Sequence, residues 1–160
     1  MLNEILEFLS IELTVMLTAA LPVIEMRGAI PVGMSLGLSP IHSFILAFIG
    51  SMIPVPFILF GIRPIFNYLR TTRFFKKTIN KLTDRSLKAN SYRIKKYGTL
   101  GLIFIVALPF PGTGVWSGSL IAALMNIRFK WAFPAIFIGN VIAGIIIMLF
   151  SSGVVNIMGG

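Results

Sequence analysis

The chain has 160 residues, 56% of them hydrophobic and only 12% charged, with a mean hydropathy of +0.92, whereas soluble domains average about 45–50% apolar and about 25% charged. That balance excludes a soluble fold, and the length leaves room for one domain over residues 1–160. The net charge of +9 is concentrated: 11 of the 14 basic residues lie between Arg63 and Lys96, between apolar segments, which marks membrane topology rather than nucleic-acid binding.

There is no cysteine and one histidine, His42, so a disulfide framework, a thiolate metal site, a Cys nucleophile and a His-rich metal centre are out of reach. No cofactor and no metal are expected. The start, MLNEILEFLSIEL, carries Glu4, Glu7 and Glu12 with no Lys or Arg; it lacks the basic region of a signal peptide and is expected to belong to the mature protein.

Residues 1–12 predict a short interfacial amphipathic helix. Residues 13–38 are apolar but broken by Pro22, Gly28, Pro31, Gly33 and Gly37. Residues 41–62 form an apolar run long enough to span a bilayer, with Pro54 and Pro56 expected to kink it. Residues 63–97 mix basic and apolar side chains and suit cytoplasmic amphipathic helices on the membrane surface, with a break at Thr83-Asp84-Arg85-Ser86. Residues 99–125 are apolar and broken at Pro109-Phe110-Pro111-Gly112-Thr113-Gly114, and residues 131–151 read as a second span.

The two halves match. Ala20-Leu21-Pro22 corresponds to Ala107-Leu108-Pro109 at an offset of 87 residues, and Phe48-Ile49-Gly50-Ser51 to Phe137-Ile138-Gly139-Asn140 at an offset of 89. Broken segments in corresponding positions of a repeat are a recurring transporter plan. If 99–125 crossed the membrane once, Arg128 and Lys130 would lie outside; if it entered and returned, 13 of the 14 basic residues would be cytoplasmic. The positive-inside rule therefore predicts a re-entrant hairpin there. By the repeat, 13–38 is a second hairpin, opening from the outer face. The expected fold is an all-α integral membrane protein: an inverted repeat of re-entrant hairpin plus transmembrane helix, with basic cytoplasmic amphipathic helices between the halves. Irregular backbone at membrane depth must be buried in protein or line a polar cavity, and the cavity is expected where the two tips meet.

Glu25 and Arg27, between Pro22 and Pro31, are the only charges between Leu13 and Ile62. A charge at mid-membrane costs about 2.5–3.5 kcal/mol on insertion scales and is usually paired and functional. The pair is either an ion pair that fixes the hairpin or a site, with Arg27 as a fork for phosphate or carboxylate and Glu25 as a proton-coupling carboxylate. The second break offers Pro109, Pro111, Gly112, Thr113 and Gly114, then Trp116 and Ser117. A half-helix starting there, with Thr113 as N-cap, would aim free N–H groups at the tip and complete an anion site with Arg27. The plainer reading is a tight turn with small residues for helix packing. Trp116 either lines the cavity or packs. Asn140, on the second span, is a candidate ligand but more often interhelical glue. Tyr97 and Trp131 read as interface anchors, and His42 as a loop residue.

The segments Glu25-Met-Arg27-Gly28-Ala-Ile-Pro31 and Ala107-Leu-Pro-Phe-Pro-Gly-Thr-Gly114 resemble the small multidrug export protein family of bacteria and archaea, over essentially the whole chain. More distantly they resemble the DedA superfamily of membrane proteins. The resemblance implies two facing re-entrant hairpins, each followed by a transmembrane helix, in the inner (cytoplasmic) membrane of a prokaryote. It also implies moving lipids such as undecaprenyl phosphate, or proton-coupled drug resistance. In DedA proteins acidic and arginine residues in the hairpins matter; here the first hairpin holds both and the second neither.

The reading is a transporter or flippase, not an enzyme, for an amphiphilic, anionic lipid-phosphate substrate, with membrane lipids and protons as partners. Export of lipophilic cations, a passive channel or scramblase, and a non-transporting scaffold are the alternatives. Two spans are few to enclose a pathway, so a homo-oligomer, most simply a two-fold dimer, is expected.

Overall fold

The computed structural model describes residues 2–71, 91–110 and 113–158. All regular structure among them is helical: α1 (Leu2–Ala20), α2 (Glu25–Ser35), α3 (Pro40–Met52), α4 (Pro54–Thr71), α5 (Ser91–Ala107), α6 (Val115–Leu124) and α7 (Phe129–Met158).

Proline and glycine set the boundaries. α1 runs unbroken through the expected division at residue 12, because no Pro or Gly interrupts Leu2–Ala20. It ends before Leu21-Pro22, where the proline ring disfavours helical backbone for the residue ahead; α5 ends likewise before Leu108-Pro109. α2 and α6 stop with the same device. The N–H groups of Leu38 and Gly37 turn back to the carbonyls of Gly33 and Met34, and those of Ile127 and Asn126 to Ala122 and Ala123. The pivot residues Gly37 and Asn126 have positive φ, 92° and 55°, the left-handed turn of a Schellman cap.

His42 is not a loop residue. Ser39 accepts the His42 N–H at 3.3 Å and Pro40 opens α3, a capping serine followed by proline at the first helical position. His42 thereby reaches Glu12 of α1, Nε2 to Oε1 at 2.8 Å. At Ile53 the chain turns between α3 and α4, where Pro54 has no N–H to continue the ladder.

Among the described residues two segments are long and apolar enough to cross a membrane, Pro40–Ile62 and Phe129–Val154. The 23 residues of the first rise about 35 Å, against a hydrocarbon core of about 30 Å. Residues 72–90, with the expected break at Thr83–Ser86, lie outside the described residues.

The helices pack in two clusters. Val15, Ala19, Met26, Ile30, Ala47 and Ala143 join α1, α2, α3 and α7. Val55, Leu59, Leu102, Val106, Ala122 and Ile136 join α4, α5, α6 and α7. Alanine and glycine let backbones approach: Gly50 lies against the Met16 backbone and Gly139 against the Ile103 carbonyl, as at membrane helix interfaces. Where the clusters meet, Asn140 Nδ2 donates to Ser51 Oγ at 2.8 Å, Ser51 Oγ donates to the Phe48 carbonyl at 2.9 Å, and Phe48 meets Phe137 edge to face at 5.0 Å. Leu17, Phe57, Phe60, Phe104, Leu149 and Phe150 are exposed, an apolar exterior of the extent a lipid-facing surface needs.

Candidate functional site

The breaks after α1 and α5 converge, because α2 packs on α7 and α6 packs on α4. Glu25 is the first residue of α2, buried to 8% exposure and held at φ 50°, a region non-glycine residues seldom occupy. Its Oε1 accepts the backbone N–H of Trp116 at 3.2 Å. The first N–H groups of α6 have no partner within the helix and carry the positive end of its dipole. The carboxylate also lies on Gly114, the N-cap of α6, so closely that a Cβ there would overlap Oε2.

Arg27, one half-turn along α2, crosses to the second break. Its Nη2 donates to the Leu108 carbonyl at 2.7 Å and to Thr113 Oγ1 at 3.0 Å. Thr113 Oγ1 lies 2.8 Å from both the Leu108 and the Phe110 carbonyl, so the hydroxyl accepts from Arg27 while donating into its own turn. Thr113 is therefore not the N-cap of α6; Gly114 holds that position without a side-chain bond, and Thr113 positions Arg27 instead. In the opposite sense, Trp116 Nε1 donates to the Ala20 carbonyl at 3.1 Å. These bonds satisfy carbonyls left open where α1 and α5 end.

Glu25 and Arg27 form no salt bridge with each other among the described contacts. Residues two apart on a helix do not face each other, and each is drawn to the opposite break. Arg27 Nη1 is buried and has no partner among the described residues.

A cavity of about 490 Å³ opens beside these groups, lined by Pro22, Glu25, Arg27, Pro109, Trp116 and Ser117; small-molecule sites occupy about 300–1,000 Å³. Val23, Ile24 and Leu120 complete its wall. Leu120 was legible as a neighbour of Trp116 and Ser117 one helical turn on; the carbonyls of Ala20 and Leu108 leave no mark in a sequence. Gly28 and Pro31 are not on the wall. Gly28 packs under Ile24, where a Cβ would overlap its side chain, and Pro31 is exposed on α2. Asn140 is spent on Ser51, at the junction of the clusters. Pro111 and Gly112 lie outside the described residues.

No curated protein and no solved structure matches the chain. The family model described as Putative small multi-drug export protein matches residues 25–146. The match opens at Glu25 and takes in Arg27, the second break, the first membrane-capable segment and the second as far as residue 146. Its helices and its family make it a membrane protein, and the chain belongs to the small multi-drug export protein family.

Proposed function

We propose that the protein is a membrane transporter that moves an amphiphile with an oxygen-rich, anionic head of the lipid-phosphate type past the Glu25/Arg27 cavity. One observation carries the choice of head group. Among the described residues Arg27 Nη1 is a buried donor without an acceptor, on a residue that lines that cavity, while the Glu25 carboxylate already accepts the Trp116 N–H. An unmet charged donor costs most where water is excluded, and a phosphate or carboxylate oxygen removes the cost.

The pathway is formed by two re-entrant hairpins, α1–α2 and α5–α6, related as an inverted repeat. Several contacts support this. With the offset of 87 before the breaks and 89 after them, Met16 corresponds to Ile103 and Gly50 to Gly139, and each glycine sits on the backbone of its own half's first helix. Ser51 corresponds to Asn140 and Phe48 to Phe137, and these equivalent residues touch each other, as groups on a two-fold axis do. Arg27 corresponds to Trp116, and each sends an N–H to the end of the other half's first helix. Glu25 corresponds to Gly114, and the two are in contact.

Residues 63–97 and the α6–α7 loop face the cytoplasm of a prokaryotic inner membrane, by the positive-inside rule. Glu25 couples transport to protons, and two copies assemble to close the pathway. The family description, multi-drug export, together with Glu25 on the cavity wall, favours a second reading, export of lipophilic cations with Glu25 as counter-ion. One experiment separates the two: thermal stability of the purified protein with undecaprenyl phosphate or a lipophilic cation, for wild type and Arg27→Ala. A ligand at about 100 times its dissociation constant adds about 2.7 kcal/mol of apparent stability. Stabilisation by the anionic lipid that is lost in Arg27→Ala supports the first reading. Stabilisation by the cation alone, kept in Arg27→Ala, replaces it with the second.

A further inference from the structure

Resting on that reading, we infer that the Glu25 carboxylate occupies the place taken by the ligand's oxyanion, so that Glu25 docking and ligand binding exclude one another. Glu25, Arg27 and Trp116 line the same cavity. The carboxylate accepts the Trp116 N–H and rests on Gly114, where a residue with any Cβ would displace it. The spot is thus an oxyanion seat already filled from within the chain, and Arg27, on the same cavity wall, keeps a buried donor, Nη1, that among the described residues neither this internal occupant nor any other group meets.

The backbone supplies the second argument. Glu25 sits at φ 50°, and a non-glycine residue persists there only when its surroundings hold it. The Glu25 N–H is tied to the Leu21 carbonyl at 3.0 Å within the turn, and its side chain is held through the docked carboxylate. An oxyanion arriving from the cavity, with more acceptor oxygens than a carboxylate, bonds the Trp116 N–H and Arg27 Nη1 together. Glu25 is then released and its backbone relaxes. Docked and released Glu25 are the two states of one element at the contact between the two breaks, which gives ligand binding a direct hold on how the halves meet. A site open only part of the time binds more weakly in proportion to its open fraction; with Glu25 docked nine-tenths of the time, removing the carboxylate tightens binding by about tenfold.

The test uses the full chain in lipid nanodiscs with decyl phosphate as the probe. Binding is read from Trp116 fluorescence in a Trp131→Phe background, since the chain has two tryptophans and Trp131 is 51% exposed and not on the cavity wall. Glu25→Gly removes the carboxylate and accepts the positive φ without strain; it is expected to lower Kd at least tenfold. Glu25→Gln, which keeps the shape and removes the charge, is expected to give an intermediate Kd, and Arg27→Ala to abolish binding in each background. Equal Kd values for wild type and both Glu25 variants, or tightest binding by wild type, overturn the competition while leaving the anionic-head reading in place. Absence of decyl phosphate binding in all variants, with decyltrimethylammonium bound by wild type, overturns both.

Discussion

The carboxylate of Glu25 accepts the backbone N–H of Trp116 at 3.2 Å across 91 residues of sequence, and the glycine two residues before that tryptophan makes room for it. Gly114 also has φ 156° and ψ −161°, a conformation almost confined to glycine. Gly114→Ala therefore meets two penalties, a backbone strain of about 1–3 kcal/mol and a Cβ driven into the carboxylate. The expected outcome is a lower melting temperature in mild detergent. In a Glu25→Gly background only the backbone strain remains, so the double-mutant cycle is expected to show a coupling of about 0.5–3 kcal/mol. Strictly additive penalties would mean that Glu25 does not dock on Gly114.

Thr113 separates a hydroxyl from a shape. Its oxygen accepts from Arg27 Nη2 and lies within bonding distance of the Leu108 and Phe110 carbonyls. Thr113→Val keeps the volume and leaves a part-buried charged donor with one acceptor fewer, at a cost of about 1–3 kcal/mol. Thr113→Ser keeps the hydroxyl and is expected to stay close to wild type. Thermal melts of the two variants side by side decide it; equal losses would assign Thr113 to packing alone.

Gly50 and Gly139 are expected to behave as a pair. A Cβ at Gly50 would overlap the Met16 backbone, and one at Gly139 would lie 2.7 Å from the Ile103 carbonyl oxygen. Backbone cannot move aside as a flexible side chain can, so alanine at either position costs about 1–3 kcal/mol in overpacking. Gly61, inside α4, has open space where a Cβ would go, and Gly61→Ala is expected to stabilise by about 0.5–1 kcal/mol, the helix-interior preference for alanine over glycine. Opposite signs in the melting temperatures check the claim, and a destabilising Gly61→Ala would count against it.

The helical breaks were legible because Pro22 and Pro109 disfavour helix ahead of them, and the two spans because their apolar runs are long enough. Glu25 and Arg27 were legible as a candidate site because they are two charges in an apolar segment. The partner of each was not. The sequence pointed to a Glu25–Arg27 pair or to a vacant helix end above Gly114. In the structure Glu25 takes that helix end itself and Arg27 reaches Leu108 and Thr113. Such contacts depend on how two distant breaks are set against each other, and no periodicity or propensity encodes that. Asn140 was read as glue or ligand; its bond to Ser51 serves the former role. Its identity as the counterpart of Ser51 was legible only through the repeat.

The sidedness of the two breaks is open to direct chemistry because the chain has no cysteine of its own. Single cysteines at Ser39, Thr78 and Asn126 probe the α2–α3 loop, the basic stretch and the α6–α7 loop. Ser39 and Asn126 are both exposed, so a thiol at either is open to reagent from the side it faces. Ser39→Cys gives up the cap on the His42 N–H, at about 0.5–2 kcal/mol, which weakens the start of α3 without moving the loop across the bilayer. In intact cells a membrane-impermeant maleimide is expected to label the Ser39 position and to spare the other two, which react only after permeabilisation. The discriminating site is Asn126. If residues 99–125 enter and return, Asn126 shares the side of Thr78; if they cross once, it is labelled with Ser39. Labelling of Asn126 from outside would remove the second hairpin and, with it, the proposed inverted repeat that the contact of Glu25 with Gly114 supports.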